Sequence, residues 1–140
     1  MPPKHEPVSV LKSKILYVDD DKDDCIFLLE SFAACGNDNL ICASNGEEAI
    51  SYLSKDKEDD LPSLIILDLN MPKKNGRETL NYLKSTPNLA NIPVVVLSTS
   101  ENDKDKEDCV HLGAVSYMKK PVHYSGYKEI VKNCISYIKD

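Results

Sequence analysis

A single aspartate, Asp68, ends a run of four large aliphatic residues at positions 64–67. A short apolar run bounded by turn-forming residues predicts a strand buried on both faces, and Pro72 and Gly76 mark the loop that follows it. Asp68 is therefore expected at the carboxyl end of a strand, the edge where open parallel α/β sheets bind ligands. This place makes it a candidate reactive or metal-binding group. The alternative is a cap for the following helix.

A dense acidic segment follows the first predicted strand, since residues 19–24 include five aspartates. Three of them open the first predicted helix, where they are expected to cap its amino end and complement its dipole: Asp21, Asp23 and Asp24. Asp19 and Asp20 come earlier, at the carboxyl edge of the strand. If the first and third strands are neighbours, these two carboxylates converge with Asp68.

Three converging carboxylates repel one another unless a cation offsets their charge. Magnesium takes oxygen ligands and retains water, which suits a shallow site with one or two direct carboxylates and a backbone carbonyl. The fourth predicted strand ends at the hydroxyl residues Ser98 and Thr99, and the pair Lys119-Lys120 follows the fifth. Three aspartates, one Mg²⁺ and one lysine carry no net charge together, and such a preorganised group can accept a phosphoryl group.

Apolar runs of strand length alternate along the chain with segments of helical periodicity. Strands are predicted at 15–18, 40–43, 64–67, 93–97 and 114–118, and helices at 22–35, 46–54, 76–85, 103–112 and 125–139. Gly36, Pro87 and Gly113 stand where helices are expected to stop. The crossovers are long enough for parallel pairing, so the fold class is α/β: a doubly wound, three-layer sandwich of five βα units around a parallel five-stranded sheet.

The spacing of apolar residues also predicts which helix faces pack on the sheet. The inward positions of the first helix are Ile26, Leu29 and Ala33, and those of the last helix are Ile130, Cys134 and Ile138. The five cysteines are scattered, odd in number and never in a close C-x-x-C pair. They are interpreted as small, reduced hydrophobic residues, with no disulfide framework and no zinc site.

Length and charge exclude several classes of protein. A chain of 140 residues predicts one domain, and its net charge of −6 offers no basic patch for nucleic acid. No apolar run approaches the roughly 20 residues that span a bilayer, and residues 1–13 are expected to be a tail without the apolar core of a secretory signal. A cytoplasmic protein is therefore expected. The charged segment 55–60 is interpreted as a solvated loop.

Four motifs in order resemble a response regulator receiver domain, a family of bacterial two-component systems. They are the acidic pair Asp19-Asp20, a D-x-x-M-P-x-x-x-G block that starts at Asp68, Ser98 after the fourth strand, and Lys120-Pro121 after the fifth. The resemblance covers about residues 14–139, which places the receiver domain at residues 14–140, and it implies a flavodoxin-like strand order, 2-1-3-4-5. In outline the chain is similar to single-domain regulators of the chemotaxis type and to those paired with phytochrome-type kinases.

The resemblance implies a role for each residue of the acidic edge. Asp68 would be the phosphoacceptor, whose carboxylate attacks a phosphohistidine. Mg²⁺ or Mn²⁺ would be bound by Asp20, Asp68 and the backbone carbonyl of Asn70, with Asp19 acting through metal-bound water. Lys120 would pair with a phosphoryl oxygen, and its bond to Pro121 is expected to be cis.

A conformational switch is implied by the same resemblance. Ser98 would move to the phosphoryl group, and Tyr117 would turn inward after it, changing the face formed by the fourth helix, fifth strand and fifth helix. A homodimer could form through this face. Thr99 and Ser100, next to the switch hydroxyl, would modulate access to the phosphoryl group and its hydrolysis.

The implied function is a stand-alone response regulator of a phosphorelay. Its partners would be a sensor histidine kinase or a histidine phosphotransfer protein, and a downstream protein, because the chain ends soon after the fifth helix. It would catalyse only its own phosphorylation and dephosphorylation. One alternative is an aspartyl-phosphate hydrolase, although Asn70 stands where such enzymes carry a second aspartate. The other is a flavodoxin-like cofactor binder, although acids would repel a flavin phosphate after the first strand.

Overall fold

Five strands alternate with five α-helices in a computed structural model that describes residues 13–55, 60–69, 75–99 and 102–138. The strands are β1 (Ile15–Val18), β2 (Leu40–Ala43), β3 (Leu64–Asp68), β4 (Val94–Ser98) and β5 (Ser116–Lys119). The helices are α1 (Lys22–Ala34), α2 (Gly46–Lys55), α3 (Gly76–Ser85), α4 (Asp103–His111) and α5 (Tyr127–Ile135). Within these ranges, no helix is long and apolar enough to cross a membrane.

All five strands are parallel and lie in the order β2-β1-β3-β4-β5, which confirms the predicted fold class. Val18 of β1 aligns with Leu67 of β3, so the residues that follow these two strands leave the sheet side by side. From β1 the chain goes to β2 on one side, and it then returns to β3 on the other. A crevice forms at such a reversal, at the carboxyl ends of the strands.

The sheet separates two apolar cores. One core contains Leu64 and Ile66 and is covered by α1 and α5, while the other contains Ile65 and Leu67 and is covered by α2, α3 and α4. Every residue of β1, β3 and β4 is buried, because both faces of these central strands are covered. This explains why the central strands are apolar at nearly every position, without the alternation typical of a half-exposed strand.

The predicted inward face of α1 is wrong. Leu28 and Phe32 are the buried residues of α1, whereas Ile26 is 50% exposed, Leu29 is 38% exposed and Ala33 is exposed. Apolar residues occupy both sides of α1, so either side could pack on the sheet. The side that contains the large Phe32 ring is buried because it removes more apolar surface from water. In α5 the predicted positions are confirmed, since Ile130 and Cys134 are buried, as is Ile138 after the helix ends.

The segment after β5 differs from the prediction in two ways. The peptide bond between Lys120 and Pro121 is trans, which is the form that a bond to proline favours by about 0.5–1 kcal/mol. The Lys120 N–H donates to the Ser98 carbonyl at 2.7 Å, so the backbone of this lysine is held against β4. A 3-10 turn, Tyr124–Gly126, then precedes α5, which begins two residues later than predicted.

A disulfide bond joins Cys25 to Cys42, contrary to the interpretation of all five cysteines as reduced. Cys25 lies in the first turn of α1 and Cys42 in β2, with their Cα atoms 6.5 Å apart. The pairing depends on where α1 crosses the sheet, which the spacing of the cysteines does not show. Cys109 and Cys134 are free and buried, as interpreted, whereas Cys35 is free but exposed.

Candidate functional site

Three carboxylates converge where β1 and β3 end. Asp19 and Asp20 directly follow β1, and Asp68 is the last residue of β3. One oxygen from each of the three lies within 4.8 Å of the others. Asp19 is 5% exposed and Asp68 is 4% exposed, whereas Asp20 faces solvent. The oxygen-only donor set and the access through Asp20 fit a hard divalent cation such as Mg²⁺ or Mn²⁺.

The pleat of the strands places the charged groups on the side of the sheet covered by α1 and α5. Side chains two positions apart on a strand share a face. Each charged residue stands two positions beyond a strand residue that packs in the α1–α5 core: Asp19 beyond Tyr17, Asp68 beyond Ile66, and Lys120 beyond Met118.

Lys120 lies among these carboxylates. Its Nζ is 2.8 Å from Asp19 Oδ2, 3.0 Å from Asp24 Oδ2 and 3.6 Å from Asp68 Oδ1, and its side chain is 11% exposed. Burial by itself would lower the pKa of Lys120, but the hydrogen bond and the charge of Asp19, followed by the charge of Asp68, outweigh it and raise the pKa. The ammonium therefore keeps its charge at neutral pH.

The Asp19 carboxylate is fixed by two further donors. The Tyr17 hydroxyl donates to Asp19 Oδ2, and the backbone N–H of Asp21 donates to Asp19 Oδ1 at 2.9 Å. Burial, together with the adjacent negative charge of Asp19, raises the pKa of Tyr17, so this hydroxyl remains a proton donor. Sequence reasoning missed Tyr17, whose signal was a tyrosine two positions before the acidic pair.

Asp24 contacts the lysine, although its sequence position suggested only a role at the start of a helix. Asp21 does cap α1, accepting from the N–H groups of Asp23 and Asp24. The Asp24 side chain instead accepts from Lys120 and, through Oδ1, from the Tyr127 hydroxyl at 2.8 Å. No pattern in the sequence distinguished Asp24 from the other aspartates of residues 19–24.

Ser98 and Tyr117 lie on the other side of the sheet. Ser98 is fully buried. It stands two positions after Val96 on β4 and therefore shares a face of the sheet with Val94 and Val96, which pack in the core under α2, α3 and α4. Tyr117 is half-buried, aligns with Val96 and packs against the same core. The two residues predicted to act as a switch therefore share one side of the sheet, across from Lys120.

The residues predicted to modulate the site are only partly described. Thr99 is exposed just beyond β4. Asn70, whose backbone carbonyl was predicted to bind metal, and Ser100 lie outside the described residues, as do positions 56–59 of the charged segment and residues 1–12 of the tail.

The backbone of Asp68 lies directly against the start of α3. A Cβ atom placed on Gly76 would be 2.5 Å from Leu69 Cα and 2.7 Å from the Asp68 carbonyl oxygen, far inside contact distance. The Gly76 N–H donates to the Leu69 carbonyl at 3.0 Å. Asn75 and Glu78 form a capping box that fixes this end of the helix. Gly76 therefore allows a helix to pack against the candidate phosphoacceptor.

Known proteins are similar to this chain in sequence and in fold. The sequence model of one protein family, the response regulator receiver domain, matches residues 15–132. Response regulator Rcp1 of Synechocystis is 40% identical over 110 residues, which are 76% of this chain and 75% of Rcp1. The probable methanogenesis regulatory protein FilR2 of Methanothrix harundinacea is 32% identical over 126 residues, covering 88% of this chain and 81% of FilR2.

Solved structures give the same result. The phosphorylated cyanobacterial phytochrome response regulator RcpA superimposes with a TM-score of 0.81 at 38% identity, over 91% of this chain and 94% of RcpA. The Mn²⁺-bound form of Rcp1 has a TM-score of 0.79 at 35% identity, over 91% of this chain and 95% of Rcp1. With its strand order, its acidic edge and these relatives, the chain belongs to the response regulator receiver domain family, the signalling modules of two-component systems.

Proposed function

We propose that this receiver domain, residues 14–140, is a phosphoacceptor that takes a phosphoryl group onto Asp68. The observation that carries the proposal is the convergence of three carboxylates within 4.8 Å beside a largely buried ammonium, 3.6 Å from Asp68. The donor is a phosphohistidine of a sensor histidine kinase or of a histidine phosphotransfer protein. In the transfer, an oxygen of Asp68 bonds to phosphorus as the bond from phosphorus to the donor nitrogen breaks.

Charge and position suit Asp68 to this role. It is nearly buried at the end of a central strand, and its backbone is fixed against α3 through Gly76. Lys120 supplies a permanent positive charge close to where the phosphoryl oxygens would lie. A charge that is already in place needs no reorganisation when the phosphoryl group arrives, which is the main way that proteins assist this transfer.

A divalent ion, Mg²⁺ or Mn²⁺, fits the same residues. Asp20, Asp68 and the backbone carbonyl of Asn70 would hold it directly, and Asp19 would act through bound water. When present, the ion offsets the charge of the carboxylates and of the phosphoryl oxygens. The Mn²⁺-bound form of the relative Rcp1 supports this assignment.

Output is proposed to pass through Ser98 and Tyr117. Ser98 would hydrogen-bond the phosphoryl group and Tyr117 would follow it, changing the face formed by α4, β5 and α5. That face would contact a downstream protein or a second copy of this chain. Thr99 and Ser100 would set the access of water to the phosphoryl group and so its lifetime.

The test is phosphorylation by acetyl phosphate with Mg²⁺, followed on a phosphate-affinity gel. Wild type is expected to gain one label that hydroxylamine removes, as expected for an acyl phosphate, and EDTA is expected to prevent labelling. Asp68→Asn should remain unlabelled, while Asp38→Asn, a matched change at an exposed aspartate, should behave as wild type. Equal labelling of Asp68→Asn would contradict the proposal. Rapid turnover of phosphate esters by wild type would favour a hydrolase instead.

A further inference from the structure

We propose that Asp24 is a positioning residue that restrains Lys120 in the unphosphorylated protein and thereby opposes the binding of a phosphoryl group at Asp68. This inference rests on the proposed function of Asp68. It means that a residue of α1 affects how readily Asp68 is phosphorylated. In this structure one ammonium is shared among three carboxylates.

An ammonium has three N–H donors and no acceptor. Lys120 makes its two short contacts with Asp19 at 2.8 Å and Asp24 at 3.0 Å, and its contact with Asp68 is the longest, at 3.6 Å. A phosphoryl group on Asp68 would extend beyond the carboxylate and draw the ammonium toward its oxygens. The ammonium would then have to weaken its contact with Asp24, which lies on a helix, whereas Asp19 and Asp68 belong to the sheet edge.

Asp24 is held firmly enough to compete. Its Oδ2 accepts from Lys120 and its Oδ1 accepts from the Tyr127 hydroxyl at 2.8 Å, so both oxygens are occupied. Tyr127 is 2% exposed at the start of α5, and its ring lies 5.7 Å from the ring of Phe27 on α1. The Asp24 side chain itself is 18% exposed, so its charge is only partly screened by water.

The negative charge of Asp24 also opposes phosphoryl binding at Asp68, as its hydrogen bond to Lys120 does. The sequence predicted that three aspartates, a divalent cation and one lysine would be neutral together. Asp24 adds a fourth carboxylate to this group, which leaves it with an excess negative charge before the dianionic phosphoryl group arrives. Removing the Asp24 charge is therefore expected to free Lys120 and to reduce repulsion, and both effects favour phosphoryl binding.

The experiment uses Asp24→Asn, which keeps the size of the side chain and an acceptor for Tyr127 but loses the charge. Beryllofluoride with Mg²⁺ serves as a phosphoryl mimic, and its dissociation constant is measured by calorimetry on the full chain. We expect Asp24→Asn to bind beryllofluoride about tenfold more tightly than wild type does. This factor corresponds to the loss of one hydrogen bond between Lys120 and the charged carboxylate that competes for it. Phosphorylation by acetyl phosphate should accelerate to a similar extent.

The matched control is Asp23→Asn, which removes the same charge from the neighbouring exposed position of α1 and should leave the affinity near that of wild type. A gain of affinity is a readout that a purely structural role would not give, because loss of a structural contact lowers affinity or leaves it unchanged. Asp24→Ser serves as a second neutral variant if Asp24→Asn does not fold.

Two failures can be told apart. If wild type and Asp23→Asn take neither phosphate nor beryllofluoride, the proposed function itself is wrong. If wild type takes both, and the neutral variants of Asp24 bind beryllofluoride with equal or lower affinity than Asp23→Asn, then Asp24 does not restrain Lys120 and this inference alone is overturned.

Discussion

The Lys120 ammonium lies 3.6 Å from Asp68 Oδ1, so the strand that ends in the candidate phosphoacceptor and the segment that follows β5 meet through opposite charges. Lys120→Met is expected to slow phosphorylation by acetyl phosphate by about 100-fold, because one preorganised positive charge is lost. The same change should tighten the binding of Mn²⁺, since a cation no longer repels the metal from the carboxylates. Labelling kinetics and Mn²⁺ titration measure the two effects.

Lys119→Met is the matched control for this pair of effects, because Lys119 is the adjacent residue, has the same charge and is exposed. It is expected to leave both measurements within about twofold of wild type, as exposed charges are well screened. An Lys120→Met protein that is labelled as fast as Lys119→Met would rule out a role for this ammonium in phosphoryl transfer.

Gly76→Ala tests the close approach between α3 and the backbone of Asp68. The new Cβ would lie 2.5 Å from Leu69 Cα, and backbone atoms must shift to accept it. We expect a loss of about 2 kcal/mol in the free energy of unfolding, typical of overpacking, and slower labelling because the Asp68 backbone is displaced. Urea denaturation measures the first effect and phosphorylation kinetics the second.

Asn81→Ala, at an exposed position of the same helix, is the control for Gly76→Ala and should change the free energy of unfolding by no more than about 0.5 kcal/mol. Wild-type stability in Gly76→Ala would show that the helix can move away without cost, and the proposed role of Gly76 would then be incorrect.

Tyr17→Phe removes the hydroxyl that donates to Asp19. The buried carboxylate then loses one of its hydrogen bonds, and we expect the free energy of unfolding to fall by about 1–3 kcal/mol. The raised pKa of Tyr17 keeps this hydroxyl protonated in the folded state. Its contribution to the free energy of unfolding should therefore be constant from pH 7 to 9. It should decline above pH 10.0, the ordinary pKa of tyrosine, because the hydroxyl then ionises in the unfolded chain.

The control for Tyr17→Phe is Tyr52→Phe, at a half-buried position in the core under α2, α3 and α4. Urea denaturation of both variants across this pH range compares the two hydroxyls. Equal, small losses in the two variants would mean that the contact with Asp19 contributes nothing specific.

The cysteines should react in three steps with a thiol reagent when the protein is prepared without reductant. Cys35 is exposed and should react at once, whereas Cys109 and Cys134 are buried and should react only after unfolding. Burial raises the pKa of the Cys134 thiol to about 12, so it should stay unreactive in the folded protein even at pH 9. Cys25 and Cys42 should appear only after unfolding and reduction.

Counting thiols by absorbance separates these steps, and Cys35→Ser is expected to remove only the first. Reaction of all five cysteines in denaturant without a reductant would show that Cys25 and Cys42 are unpaired.

Local patterns in the sequence were enough to predict the strands, the fold class and the carboxylates of the site. The central strands are apolar at almost every position because both their faces are covered, and that run of residues is visible without a structure. Asp19, Asp20 and Asp68 could be placed together because parallel strands end at a common edge. Polar residues at that edge therefore converge whenever their strands are neighbours.

Contacts between helices could not be predicted in the same way. The orientation of α1 depends on which of two apolar faces buries more surface against the sheet, and the sequence pattern supported the wrong one. The bond between Cys25 and Cys42 and the contacts of Asp24 with Lys120 and Tyr127 depend on that orientation.

The sequence by itself determined the strands of this receiver domain and the acidic edge on which its chemistry is proposed, because strand burial and parallel pairing leave a local pattern of residues. Only the tertiary structure decided that Lys120 is shared between the sheet edge and Asp24. The physical reason is that a charged side chain takes its partners from whatever elements pack around it. Lys120 and Asp24, 96 residues apart, meet only because α1 packs on the face of the sheet that carries Lys120.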